Sequence, residues 1–447
     1  YGGNGTDTTG NVLNVNTNAT VGNIANFGMV NFNYKATTTS DANPMLTISG
    51  GATTFDWGKF TYKGAMPTSG KLTLMKNTAN INLGATYTGA KELAGSDTTE
   101  AFIDTNTSAA TATEILIKGY TFKGNALTPT TGSATEDVWA GRSVIGNTTT
   151  GNTLTVSGAT HRDAYGGWTA GTGTSKAAKN NSTGNTVNLT GGTVRNIYGG
   201  FTSSTGGNAT GNKVNISGGS VAPAAGVGGT VYGGFVSHAG AGDATGNTVT
   251  ITGGSMGDVY GGFTTGTGKT TGNTVNLGDG EHSLAATING TIYGGNGTDT
   301  TGNTLNVKTN AAAANIKNFE NLAFYVNSSA LNAASPMLTL SSGATNNLDW
   351  RKLTVDASKF SGTISTFEPY NLVLMQNAAG ISFIKGTDDT YTLGGGVKST
   401  TSGDFEFTID TLSHAASTTQ VTAAGYKFKN HAASYSEATP HDEAWAG

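Results

Sequence analysis

The chain has 447 residues, with 24 Lys and Arg against 28 Asp and Glu, 68 Gly, 7 Pro and no Cys. So even a balance offers no basic stripe to nucleic acid and too little net charge to keep a polar chain disordered. The missing cysteines exclude disulfides and thiolate metal sites, and no apolar run approaches the ~20 residues of a membrane helix. What remains is Thr, Asn, Ser and Ala interleaved with Val, Ile and Leu, a mixture that suits strands and turns and is poor in helix formers. The expected class is all-β.

Taken in order, the chain opens on a long module at residues 1–141. It contains YGGNGTDTTGN from Tyr1, NFGMVNFNY from Asn26, PMLTISGGAT from Pro44, an Asp-Trp pair at Trp57, LTLMKN from Leu72 and GYTFKG from Gly119. It ends on EDVWAG at Gly141. Residues 142–292 form a second region with a short repeat. Thr-Gly-Asn introduces an alternating segment at Thr150, Thr183, Thr210, Thr245, Thr271 and Thr301, and Tyr-Gly-Gly recurs at Tyr165, Tyr198, Tyr232, Tyr260 and Tyr293. Residues 293–447 then repeat the long module. YGGNGTDTTGN returns unchanged at Tyr293, followed by NFENLAFYV, PMLTLSSGAT, Trp350, LVLMQN and GYKFKN, and the copy closes on Trp445-Ala446-Gly447. Tyr1 follows no initiator Met or signal segment, so the chain is expected to be a piece cut from a longer tandem array.

Spacing within the short repeat predicts a solenoid. Gly151 to Tyr165, Gly184 to Tyr198 and Gly246 to Tyr260 each span 14 residues, whereas the return from YGG to the next TGN varies. Strands that stack must stay in register; outward loops need not. Val187 and Leu189 alternate with Thr186 and Asn188, as do their counterparts in the other repeats, so one face is packed inward. A second short strand is expected to end at Ile197, Val231, Val259 or Ile292, with the YGG glycines making a sharp corner by positive φ or close backbone approach. WAG at Gly141 reads as a variant of the same corner. Stacked rungs would align Asn185, Asn212, Asn247, Asn273 and Asn303 into an amide ladder, each side chain donating to the next. Tyr165, Tyr198, Tyr232, Tyr260 and Tyr293 would align into an aromatic ladder serving stacking rather than sugar binding.

Few residues suggest chemistry. Gly2–Asp7 and Gly294–Asp299 match the start of a G-G-x-G-x-D calcium repeat, which makes Asp7 and Asp299 weak calcium candidates. That fold needs several copies in succession, and each occurs once. His161-Arg162-Asp163 is expected to be a solvated turn, and His441-Asp442-Glu443 has no histidine in the first copy. Trp57 and Trp350 are expected to pack. Variable loops at 168–183 and 221–229 are the places left for binding. No catalytic or cofactor-binding residue is assigned and no cofactor is expected.

TGNTVNLTGGTV…IYGG in the array and NIKNFENLAFYV…PMLTLSSGA in the long modules resemble the passengers of bacterial autotransporter adhesins. The resemblance implies an elongated, right-handed parallel β-helix with strand-rich decorated modules at both ends. It also implies export to the cell surface or exterior, with any membrane attachment through a barrel outside this chain. A role in attachment, aggregation or biofilm would follow, with host or bacterial surface glycans, proteins or copies of itself as partners. Two alternatives stand beside it. One is a self-assembling extracellular filament or surface layer. The other is a polysaccharide-active β-helix enzyme, which the scattered carboxylates of the array disfavour.

Overall fold

A computed structural model describes the chain except residues 8, 41, 66–70, 94–95, 172–179, 223–228, 327–333, 360–369, 385–397, 403–404, 414 and 428–447. The His441-Asp442-Glu443 triplet, the closing Trp445-Ala446-Gly447 and the middles of both variable loops lie outside the described residues. The chain is all-β, with three single-turn 3₁₀ helices among the described residues, and it forms two compact units, Tyr1–Thr121 and Phe122–Gly447.

Residues 122–447 hold a parallel β-solenoid. The segments that follow TGN build a nine-stranded sheet through Ala126–Leu127, Thr153–Val156, Thr186–Leu189, Lys213–Ile216, Thr248–Ile251, Thr274–Leu277, Thr304–Val307, Asn321–Tyr325 and Leu353–Asp356. The YGG segments build a second, ten-stranded sheet, and four two-residue strands from Thr149–Thr150 to Ala244–Thr245 form a short third side. Pairing joins like residues: Val187 sits over Val214, Val214 over Val249, Val249 over Val275 and Val275 over Leu305. The alternation directs these side chains inward, where they meet Val194, Ile197, Val231, Val259 and Ile292 of the second sheet, all fully buried. Each such side chain contributes about 1.5–3 kcal/mol, enough to organise a chain this polar.

Four of the five YGG segments named above lie within strands, and the fifth, at Tyr293, ends one. Tyr198-Gly199-Gly200 lies inside the strand Thr193–Thr202, and its counterparts lie inside Thr160–Thr169, Val231–Val236 and Val259–Thr264. WAG behaves likewise, since Val138–Ser143 pairs in register with Ala164–Thr169. These glycines are needed for close approach. A Cβ on Gly199 would run into the Gly233 carbonyl, and one on Gly200 into the Asn212 side chain. The left-handed turns fall elsewhere, on the TGN glycines such as Gly184 (φ 60°) and Gly211 (φ 63°), and on Gly192 and Gly219 of the intervening Gly-Gly pairs.

Both long modules change from parallel to antiparallel pairing in the same strand order. In residues 1–121, Val12–Val15, Met29–Asn33 and Phe60–Lys63 stack in parallel as one sheet. Ala19–Val21, Leu46–Ile48 and Lys71–Asn82 stack as another, which Thr111–Thr121, Thr99–Thr105 and Lys91–Leu93 extend with antiparallel pairing. The later module repeats this order through Ala311–Ala313, Leu338–Leu340, Tyr370–Phe383, Ser417–Lys427, Phe405–Thr411 and Lys398–Ser402. Sequence similarity between the copies begins again at Asp137–Gly141, yet residues 122–141 pack with the array. Ala126–Leu127 pairs with Thr153–Leu154, and Trp139 sits over Tyr165.

Candidate functional site

The amide ladder is the most ordered polar feature of the array. Each Asn lies at the start of a TGN strand, completely buried. Its Nδ2 donates to the Oδ1 of the next Asn: Asn185 to Asn212 at 3.1 Å, Asn212 to Asn247 at 3.0 Å, Asn247 to Asn273 at 3.0 Å and Asn273 to Asn303 at 3.1 Å. The second Nδ2 hydrogen reaches a carbonyl of the rung before, as from Asn212 to Ser182 at 2.9 Å. Each Oδ1 also accepts the backbone N–H of the preceding Asn, as in Asn185 N to Asn212 Oδ1 at 3.0 Å. Both donors and both lone pairs are therefore used. Asn152 extends the ladder by one rung, donating to Asn185 at 2.8 Å.

The tyrosines stack on the outside of the second sheet. Ring centroids are 4.7 Å apart for Tyr165–Tyr198, 5.1 Å for Tyr198–Tyr232, 5.4 Å for Tyr232–Tyr260 and 4.3 Å for Tyr260–Tyr293, with planes within 15° of parallel. Trp139 continues the column at 6.4 Å from Tyr165. A second column, Trp168, Phe201, Phe235 and Phe263, runs beside it at 6.2, 5.4 and 5.0 Å. The two columns meet edge to face, for example Tyr232 with Phe235 at 4.8 Å and 84°. Sequence reading missed the second column, although YGGWT, YGGFT, YGGFV and YGGFT repeat its aromatic three residues after each Tyr. Cations close the first column, Arg142 lying 4.2 Å from the Trp139 ring centre and Lys317 lying 5.8 Å from that of Tyr293. Ring faces of the first column that a sugar would stack on are thus covered by other rings or by cations. Burial raises the pKa of the Tyr165, Tyr198, Tyr232 and Tyr260 hydroxyls above the ordinary phenol value.

His161-Arg162-Asp163 is not a solvated turn. It lies in the strand Thr160–Thr169, where His161 points inward beside Gly132 and Asp163 is buried. Arg195 and the Asn196 amide, the latter at 3.0 Å, hold the Asp163 carboxylate, while Arg162 pairs with Asp137 of the rung before. Burial lowers the His161 pKa, and its Nε2 has no hydrogen-bond partner. The triplet thus links rungs and leaves no carboxylate facing a cleft.

Asp7 and Asp299 each hold a tight turn. Oδ1 of Asp7 accepts from the N–H and hydroxyl of Thr9 at 3.0 and 2.6 Å; Asp299 does the same with Thr301 at 3.0 and 2.9 Å. These bonds lower both pKa values, and Lys269 pairs with the second oxygen of Asp299 at 3.4 Å. Among the described residues no three Asp, Glu or His side chains converge as a metal cluster.

Trp57 and Trp350 are buried, each opening a 3₁₀ turn capped by the preceding Asp. In residues 1–121 a buried Asp104 accepts from Tyr87 at 2.7 Å and Ser108 at 2.8 Å, and pairs with Lys118 at 3.2 Å. Burial alone would raise its pKa, but these bonds outweigh it; burial and Asp104 together push Tyr87 up to about 12. A cleft of about 490 Å³ lies among Lys317, Asn318, Glu320, Asn346 and Asn347. Its carboxylate is committed, accepting from Gly302 N at 2.6 Å and pairing with Lys352 at 3.2 Å. No paired carboxylates of the kind that cleave glycosidic bonds face this cleft. Comparison with family models, with curated proteins and with solved structures returns no match.

Proposed function

We propose that this protein is a structural and adhesive segment of a cell-surface or extracellular fibre, not an enzyme. One observation carries the reading: the polar and aromatic groups of the array are spent on neighbouring rungs. Asn side chains are saturated by the ladder, ring faces are covered by rings, and Asp163 and Asp137 are held by arginines. A chain whose chemistry is directed along its own stack is a scaffold, and its variable returns are left to meet glycans, proteins or other copies at the surface.

Beads coated with the full chain provide the test. They should attach to host-cell or bacterial surfaces, or to one another. Replacing residues 171–181 by the shorter return 203–208 should reduce attachment while the amides of Thr186–Leu189 stay protected from exchange. Glycan cleavage by the purified chain that is lost on chelation would sink the proposal.

A further inference from the structure

Between Phe122 and Gly447 the tripeptide Asn-Gly-Thr occurs twice, at Asn289 and at Asn296. Both asparagines are exposed, so neither local sequence nor exposure separates them. Their hydrogen bonds do. Asn296 Oδ1 accepts from Thr264 N at 2.8 Å, and its Nδ2 donates to Thr264 O at 2.9 Å. The nitrogen that follows is held as well, Gly297 N donating to Thr270 Oγ1 at 2.9 Å.

Asn289 and Gly290 form the connection between the strands Ala285–Ile288 and Thr291–Tyr293. The backbone on either side is anchored, because Asn289 N donates to Met256 O and Gly290 O accepts from Ala314 N, both at 2.9 Å. The Asn289 side-chain amide and the Gly290 N–H, by contrast, bond to nothing among the described residues. Packing imposes the glycine, since a Cβ at position 290 would strike Asp258 Oδ1, which accepts from Thr291 N at 2.7 Å. The fold therefore requires at this position the one residue that leaves a backbone nitrogen unshielded by its own side chain, next to an unrestrained amide.

We propose that Asn289-Gly290 is a self-modification site, which converts to aspartyl and isoaspartyl forms while Asn296-Gly297 persists. The Gly290 nitrogen gives up its proton and attacks Asn289 Cγ. The bond from Cγ to Nδ2 then breaks, and Nδ2 takes up the proton and leaves as ammonia. Water opens the resulting cyclic imide at either carbonyl, so the sum is amide plus water to carboxylate plus ammonium. Nothing is oxidised or reduced. The same attack at Asn296 must wait for the bonds to Thr264 and Thr270 to open, which slows it at least ~tenfold. Either product adds a negative charge close to Asp258. The isoaspartyl form also lengthens the backbone between Ile288 and Ile292, which pair in register with Met256 and Val259. The inference does not rest on the adhesive reading, since it follows from the comparison of two identical tripeptides.

Incubating the full chain in mildly alkaline buffer and mapping its peptides by mass spectrometry tests it. Chymotryptic cleavage after Tyr293 places the two asparagines on separate peptides. The Asn289 peptide should gain the mass of one Asn-to-Asp conversion at least ~tenfold faster than the Asn296 peptide. In urea, where the fold no longer holds Asn296, the two rates should converge. Asn289→Gln, which would have to close a larger ring, should abolish the conversion at that position and leave Asn296 as it was. Equal rates at the two sites in the folded chain would overturn the proposal. So would a difference that persists in urea, because its cause would then lie in the flanking sequence. An Asn289 that stays intact in the folded chain, over the time in which the unfolded chain converts it, would overturn it as well.

Discussion

Asn212 shows how one residue type can carry a rung. Its side chain is completely buried and forms four ladder bonds, two through Nδ2 and two through Oδ1. Asn212→Ala strands donors of Asn185 and acceptors on Ser182 and Asn247 away from water, and should cost on the order of 3 kcal/mol. Local hydrogen exchange at Thr186–Leu189 and Lys213–Ile216 measures it. Glycine substitutions should separate by cause. Gly200→Ala drives a methyl into the ladder and should cost about 3 kcal/mol. Gly184→Ala meets nothing within 4 Å but must hold φ 60°, and should cost about 1 kcal/mol in the same assay. His161 sets a pH dependence. Its folded pKa is lowered below the ordinary 6.5, so the unfolded chain takes up the proton first and stability falls as pH drops below about 6.5. His161→Val, matching Val194 in the next rung, should remove that part of the decline in urea unfolding measured between pH 7 and 5.

At the scale of the element, the outer face of the YGG strands depends on the two aromatic columns acting together. Strict two-residue alternation would place Tyr232 and Phe235 on opposite faces, yet their rings meet at 4.8 Å. Gly233 and Gly234 let the strand bend between them, and both closely approach the Asn247 side chain behind. Phe235 lies between Phe201 and Phe263 and edge-on to Tyr198 and Tyr232. Phe235→Ala should therefore cost about 2–3 kcal/mol despite its half-exposed position, whereas Phe235→Tyr should be nearly neutral. Thermal unfolding followed by near-ultraviolet circular dichroism would report both. Repeat spacing made this sheet readable as a sheet. It could not distinguish a glycine required for positive φ from one required for close approach, because both leave the same letter. Hence the YGG segments read as corners when they are strands.

For the whole molecule, stability should be graded along each stack, because rungs contact mainly their neighbours. Central strands such as Lys213–Ile216, flanked on both edges, should exchange amides more slowly than Val12–Val15, which is flanked on one. A single cooperative transition reported alike by both segments would contradict this. The long modules belong to this scale as well. Their first strands follow the solenoid, but Lys71–Asn82 and Tyr370–Phe383 turn to antiparallel partners. Nothing in the local pattern announces that switch, since Leu72, Leu74 and Met75 satisfy either pairing.

The sequence by itself determined the all-β class, the inward alternation of Val187 and Leu189, the membership of the Asn and Tyr ladders, and the duplication of the long module. Each follows from periodicity, and stacking like residues in register is what periodicity does. Tertiary structure alone decided that His161 and Asp163 are buried, that the array's YGG glycines lie within strands and bend them, and that residues 122–141 join the array. These outcomes depend on which rung lies next to which, a relation that the repeated letters of each rung do not encode.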